Sequence, residues 1–258
     1  MSITILFFLG LSIGSFCNVL IDRIPQGESF IKGRSHCDKC KHLLSPLDLI
    51  PVLSYILLLG KCRYCRKKIS LQYPLVEFAT GILFVYIYLF LKQISTISPF
   101  NLFLIYYLFI VSGLLVIFIT DLKYRIIPDE VLLVLIVITA GIKFYQFPNL
   151  IFLNCLSSGL LFFSLFLFLF LVTRGKGMGF GDVKYAFLMG LVLGFPNIIV
   201  GFYLAFLTGA FISLILLLIG KKRMKSKIAF GPFLTLSTFV TLFYGDELWV
   251  IFKKILGI

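Results

Sequence analysis

Long apolar runs dominate the chain, and short polar stretches break them. Crossing the hydrocarbon of a bilayer takes about 20 apolar residues as a helix, with roughly 17–25 the usual range. Eight stretches come near this length: 3–21, 74–91, 101–119, 130–147, 151–172, 183–195, 198–219 and 229–245. The pattern predicts an all-α polytopic membrane protein with about eight transmembrane helices. The sixth stretch is short, which a tilted helix, a locally thinned bilayer or a start below the membrane surface would accommodate. Phe195-Pro196-Asn197 reads as a tight turn before the seventh, and the end, from Leu248 to Ile258, mixes Trp249 with Lys253 and Lys254 as an interfacial segment would. Met1 to Leu20 has neither a basic n-region nor a small-residue cleavage site, so it reads as a retained span.

Composition supports lipid exposure. Hydrophobic residues make up 60% of 258, and the mean hydropathy is +1.07. A soluble domain sits near about 45–50% apolar, so the excess is expected to face lipid. The net charge of +13 would suggest nucleic acid in a soluble protein. Here the basic residues read as topology. Regions 22–73, 121–129, 173–184 and 220–228 hold 10, 2, 3 and 5 Lys and Arg, which is 20 of the 24. With eight spans and the N-terminus outside, all four regions fall on one side, and the positive-inside rule makes it the cytoplasm. The run Lys221 to Lys227 then reads as a stop-transfer anchor, with membrane lipid and no nucleic acid as partner. The expected domains are a first segment (1–21), a cytoplasmic loop (22–73) and a transmembrane domain (74–258).

The loop carries two cysteine pairs, Cys37-Asp38-Lys39-Cys40 and Cys62-Arg63-Tyr64-Cys65, with 21 residues between them. Two residues between sulfurs let a tight turn aim both at one ion, and two such turns complete a tetrahedral four-sulfur zinc site. Lys39, Lys41, Lys61, Arg63 and Arg66 would stabilise the thiolates. The rival readings are a redox dithiol and a disulfide pair, although disulfides are rare in the cytoplasm. Leu43 to Leu59 is apolar enough to span, which would split the pairs across the membrane. Pro46, Asp48 and Pro51 interrupt it, so it reads as an interfacial or re-entrant hairpin. A site closed by four sulfurs is expected to staple the loop, since it leaves no position open for chemistry. Cys17 and Cys155 lie inside apolar spans and read as buried small residues.

Eleven acidic residues are few enough to sort. Asp22, Glu28, Asp38 and Asp48 belong to the loop, Asp246 and Glu247 to the external side, and Glu77 near the start of the second span reads as structural. Asp121 ends the third span, where the helix dipole and loss of water both disfavour its charge, and that makes it a functional candidate. Asp182 follows Gly177-Met178-Gly179-Phe180-Gly181, whose glycines allow close backbone approach. An Asp before a helix is also a good N-cap, for Asp182 and for Asp129 after Pro128. Topology puts Asp121 and Asp182 at the same membrane edge. Two carboxylates in hydrogen-bond reach share one proton, so one can activate water while the other polarises a peptide carbonyl. That would be peptide hydrolysis without a metal.

Several motifs, in order, resemble the bacterial type IV prepilin peptidases, bifunctional leader peptidase/N-methyltransferases of the GxGD intramembrane aspartyl type. Gly14-Ser15-Phe16-Cys17-Asn18 through Arg23-Ile24-Pro25 is similar to the family's opening motif. The two cysteine pairs, with Ile50-Pro51-Val52-Leu53-Ser54-Tyr55 between and Tyr73-Pro74-Leu75-Val76-Glu77 after, resemble its cytoplasmic loop. Asp121 to Asp129 is similar to the segment of its first catalytic aspartate, Gly179-Phe180-Gly181-Asp182 to the signature of the second, and Phe230-Gly231-Pro232-Phe233-Leu234 to a late motif. Ala229 stands where the family often has Pro. The resemblance implies a bacterial inner-membrane enzyme. It would cut prepilin or pseudopilin precursors, which carry a basic leader and an apolar N-terminal helix, using Asp121 and Asp182 in the loop of Gly179 and Gly181. It further implies methylation of the new N-terminus with S-adenosylmethionine as donor, associated with Gly60 and Lys61. Two rival classes are an idle zinc-loop scaffold for pilus or secretion assembly, and a transporter. Transporter sites lie near the bilayer midplane, whereas the acids here sit at segment ends.

Overall fold

The computed structural model describes residues 2–93, 100–146, 149–219 and 229–257. The basic run Lys221 to Lys227 lies outside the described residues. Among those described there are nine α-helices and no strand: α1 (Ile3–Arg23), α2 (Leu53–Leu57), α3 (Gln72–Gln93), α4 (Phe100–Tyr124), α5 (Asp129–Gln146), α6 (Asn149–Val172), α7 (Phe180–Leu193), α8 (Asn197–Leu218) and α9 (Gly231–Leu256). Inside a bilayer every backbone N–H and C=O must be paired within the protein, which favours this architecture.

Each of the eight expected stretches holds a helix. Five of them, α1, α3, α4, α6 and α8, are long and apolar enough to cross a membrane. The protein is a helical membrane protein. The other three helices, α5, α7 and α9, do not meet that test. At 1.5 Å per residue the 14 residues of α7 extend about 21 Å, less than the roughly 30 Å of hydrocarbon. The segment from Leu43 to Leu59 forms no continuous helix. It makes a 3-10 turn at Pro46–Leu49 and the short α2, so it does not span.

The chain forms two compact units, Met1–Val116 and Ile117–Ile258, with the boundary inside α4. In the first unit α1 packs along α3. Small residues let the backbones meet: a Cβ on Gly10 would lie 2.7 Å from Gly81 Cα, and one on Gly14 would lie 2.6 Å from Glu77 Cα. Lipid gives no hydrophobic drive between helices, so such close contact supplies the association. Asn18 Nδ2 donates to the Tyr73 carbonyl at 3.0 Å, fixing the register of the pair.

In the second unit α7 is the centre, packed on α5, α6, α8 and α9. Val183, Tyr185, Ala186, Leu188, Met189 and Leu191 are fully buried. The Tyr185 hydroxyl donates to Thr238 Oγ1 at 2.9 Å, which satisfies a polar group inside the bundle. On α6, Leu150, Leu161 and Phe168 stay exposed, as a lipid-facing surface requires. Asn154 holds the turn after α7, accepting from Phe195 N at 2.8 Å and donating to Phe195 O at 3.1 Å.

The tightest approach in this unit is α6 on α7. A Cβ on Gly190 would lie 2.5 Å from Gly159 Cα. Gly190→Leu is expected to force the helices apart and cost about 1–3 kcal/mol or more. Gly141→Ala, where an added Cβ meets nothing within 4 Å, is expected to stabilise α5 by up to about 1 kcal/mol. Thermal unfolding in detergent checks both; equal midpoints for the two variants would contradict the packing.

Candidate functional sites

Two centres stand out, one in each unit. In the first, the sulfurs of Cys37, Cys40, Cys62 and Cys65 lie within 4.8 Å of one another. Both knuckles are built alike. The Cys37 N–H donates to the His42 carbonyl at 3.0 Å, and the Lys41 N–H to the Cys37 carbonyl at 2.8 Å. Twenty-five residues on, the Cys62 N–H donates to Lys67 O and the Arg66 N–H to Cys62 O, each at 2.9 Å. Lys41 and Arg66 take the left-handed conformation at φ 56° and 57°, and this turns each chain back beneath its two sulfurs.

The sulfurs are electrostatically uneven. Desolvation pushes the Cys37 thiol up, but the backbone N–H groups of Cys40 and Lys39 and the neighbouring thiols outweigh it and bring it down to about 7. The His42 N–H pulls Cys40 down. Desolvation and the sulfurs of Cys37, Cys65 and Cys62 outweigh that and push it to about 11. A negative charge on one sulfur thus raises the cost of the next, and a cation among them removes that cost. Four thiolate donors converging at this spacing fit zinc.

Asp48 ties the intervening hairpin to the second knuckle. Its Oδ2 accepts from Ser45 N (3.1 Å), Ser45 Oγ (2.8 Å) and the Tyr64 hydroxyl (3.2 Å), and Arg63 Nε pairs with Oδ1 at 2.8 Å. Desolvation raises this carboxyl, and the Ser45 and Arg63 contacts outweigh it and hold it below the ordinary range. Gly60, in the turn after α2, takes φ +66°, and a Cβ there would meet the Tyr55 hydroxyl at 2.8 Å. Both features require glycine at this position. Lys61 is exposed beside it.

The second centre is a carboxylate pair. Asp121, on the last turn of α4, and Asp182, on the first turn of α7, are 5% and 7% exposed, and the charge of Asp121 bears on Asp182. Asp182 is not the N-cap. The helix begins earlier, at Phe180, and the carboxylate reaches back so that Oδ2 accepts from Gly179 N at 3.0 Å. Gly181 packs on Ile127, whose Cβ an added Cβ would approach to 3.1 Å. The glycines on either side of Phe180 therefore serve the loop's hydrogen bond and its close packing. Asp129 opens α5 and pairs with Lys184 of α7. That pair joins the segment following Asp121 to the helix that carries Asp182.

Gly231 completes the site. Its backbone N–H lies against the Asp121 carboxylate without meeting hydrogen-bond geometry at Oδ2, and a Cβ there would lie 2.6 Å from that oxygen. Asp121 Oδ2 is buried with no hydrogen-bond partner among the described residues. The motif around Phe230 is visible in the sequence, but its contact with Asp121 is tertiary and carries no local signal.

An apolar helical bundle with a buried carboxylate pair, joined to a four-thiol module, defines a membrane protein with two separate chemical centres. Residues 8–91 match the Bacterial Peptidase A24 N-terminal domain, and residues 108–214 match the Type IV leader peptidase family. The chain belongs to the type IV leader peptidase family. It is 29% identical over 246 residues to a prepilin leader peptidase/N-methyltransferase of Bacillus subtilis (strain 168), covering 95% of this chain and 96% of that one. It is 29% identical to the protein of that name from Aeromonas hydrophila (95% and 91%) and 28% identical to that from Pseudomonas aeruginosa (93% and 89%). No solved structure matches the chain.

Purified protein is expected to carry one zinc per chain, and Cys62→Ser to lose it. Metal analysis by mass spectrometry checks this; unchanged zinc in the variant would remove the four-sulfur assignment.

Proposed function

We propose that the protein is a membrane endopeptidase that removes the leader from type IV prepilins and pseudopilins. It works at the cytoplasmic face of the bacterial inner membrane, with the N-terminus outside and the cysteine loop inside. The observation that carries this is the pair Asp121 and Asp182, buried together at neighbouring helix ends. The charge of Asp121 bears on Asp182, and we read two carboxylates coupled out of water as holding one proton between them. The ionised one takes a proton from water, and the protonated one donates to the scissile carbonyl as the tetrahedral intermediate forms. With the water oxygen bonded to the carbonyl carbon, the C–N bond breaks as the newly protonated carboxyl gives its proton to the leaving amine. A hydroxyl of the intermediate returns one proton to the other carboxylate, which restores the singly protonated pair. Asp182 is held by Gly179, whereas Asp121 Oδ2 has no hydrogen-bond partner among the described residues and is the oxygen we assign to face the peptide.

The precursor's basic leader stays in the cytoplasm while its apolar helix enters the bilayer, so the bond to be cut lies at the depth of the helix ends. Helical peptide carbonyls are already hydrogen-bonded, and the bond must be locally extended to react.

Relatives named as N-methyltransferases support a second activity, transfer of a methyl group from S-adenosylmethionine to the new N-terminal amine. We assign it to the loop 22–73, with zinc as a structural staple. Gly60 is accounted for by its backbone conformation, which leaves the exposed Lys61 as the group available to a donor.

Asp121→Asn and Asp182→Asn are each expected to cut leader removal by at least about 10²-fold, the scale of a lost general acid or base. Gly231→Ala is expected to slow it while the protein stays folded, because the Cβ displaces Asp121. A gel-shift assay of precursor processing in membranes reads all three. Normal processing by either Asn variant would favour the idle scaffold. Mass analysis of the mature N-terminus tests methylation: the product is expected to carry one methyl group when donor is present, and an unmodified amine would contradict it.

A further inference from the structure

The hairpin between the cysteine pairs displays an apolar surface that no described part of the protein covers. Leu47, Leu53, Ile56, Leu57 and Leu59 are 62%, 52%, 60%, 77% and 83% exposed. A contiguous patch of this kind on a polar loop marks a contact surface.

Its position within the first unit indicates the occupant. Val52, at the head of the hairpin, donates its N–H to Glu77 Oε2 at 2.8 Å. Glu77 is five residues into α3, about 8 Å along the helix axis. The Ser15 hydroxyl faces the same carboxylate, and Gly14 packs on the Glu77 backbone. Ser15 lies eight residues before the end of α1 at Arg23, about 12 Å inside that span. The head of the hairpin therefore sits alongside the membrane-crossing part of both helices, below their ends. Leu75 and Phe78, on faces of the same stretch of α3 turned away from Glu77, are 63% and 48% exposed, so this stretch of the helix also borders lipid. Val52 holds φ +61°, a strained conformation for a β-branched residue, and the Glu77 hydrogen bond keeps it there. At the other end of the hairpin Lys61, Arg63, Arg66, Lys67 and Lys68 are exposed and basic.

We propose that this hairpin is a re-entrant membrane anchor, with Leu53, Ile56, Leu57 and Leu59 among the acyl chains and the basic second knuckle on anionic headgroups. It holds the four-cysteine module at the membrane surface. Buried apolar area and attraction to anionic lipid together set the strength of such an anchor. The inference rests on membrane residence and needs no catalytic turnover.

The test uses the full-length zinc-loaded chain in nanodiscs. Trp249→Phe removes the one tryptophan, and single tryptophans are then placed by Leu57→Trp, Phe78→Trp and Lys39→Trp. Acyl-brominated lipid is expected to quench Leu57→Trp as strongly as Phe78→Trp, and to leave Lys39→Trp bright. Quenching of Leu57→Trp is expected to fall when neutral phosphatidylcholine replaces anionic phosphatidylglycerol. An unquenched Leu57→Trp beside a quenched Phe78→Trp would overturn the anchor. Equal quenching in both lipids would overturn the headgroup contact. Loss of quenching on adding a peptide of the precursor's apolar helix would make the face a substrate seat and also overturn the proposal.

Discussion

A carboxylate kept from water is stabilised only by what stands beside it. Beside Asp121 stand the backbone of Gly231, the charge of Arg125 and a second carboxylate, Asp182. The rest of the second unit can be understood as the apparatus that keeps these groups together. The α7 helix is short and almost wholly buried, so its first turn cannot drift. The Gly179 N–H fixes Asp182, Ile127 against Gly181 and Asp129 on Lys184 join the segment after α4 to α7, and the start of α9 closes over Asp121. A water-excluding bundle strengthens electrostatic coupling between the acids, and such coupling is what the proposed shared proton requires.

The first unit meets a different constraint. Its loop has too little apolar burial to order itself, so two like-built knuckles around four sulfurs supply the order. Asp48 and Glu77 then act as ties, one to the second knuckle and one to the span α3. A chain that must keep a polar module against a membrane gains from such ties, because each fixes a backbone segment that would otherwise lose its position to thermal motion.

Local signals were legible in the sequence, and tertiary ones were not. The cysteine spacing foretold the cluster because two residues between sulfurs act within one turn. The apolar runs marked all eight helix positions, and the prolines and Asp48 broke the ninth apolar run where the structure breaks it. Helix ends were harder. Asp182 looked like an N-cap because Phe180 and the glycines beside it gave no helical signal, yet Gly179 is the N-cap, and Phe180 and Gly181, the latter packed on Ile127, form the start of α7. Glu77 could be read as structural, but not as the partner of Val52, twenty-five residues earlier. Gly231 lay in a recognisable motif, and only the meeting of α4 with α9 gives it a role.

The central claim is that Asp121 and Asp182 work as one unit, and a unit is recognised by non-additive losses. The most direct measurement compares single-turnover leader removal by Asp121→Asn, Asp182→Asn and the double variant. A shared-proton pair predicts that the double variant is no slower than the slower single one. Losses that multiply in the double variant would show two independent groups and contradict the account.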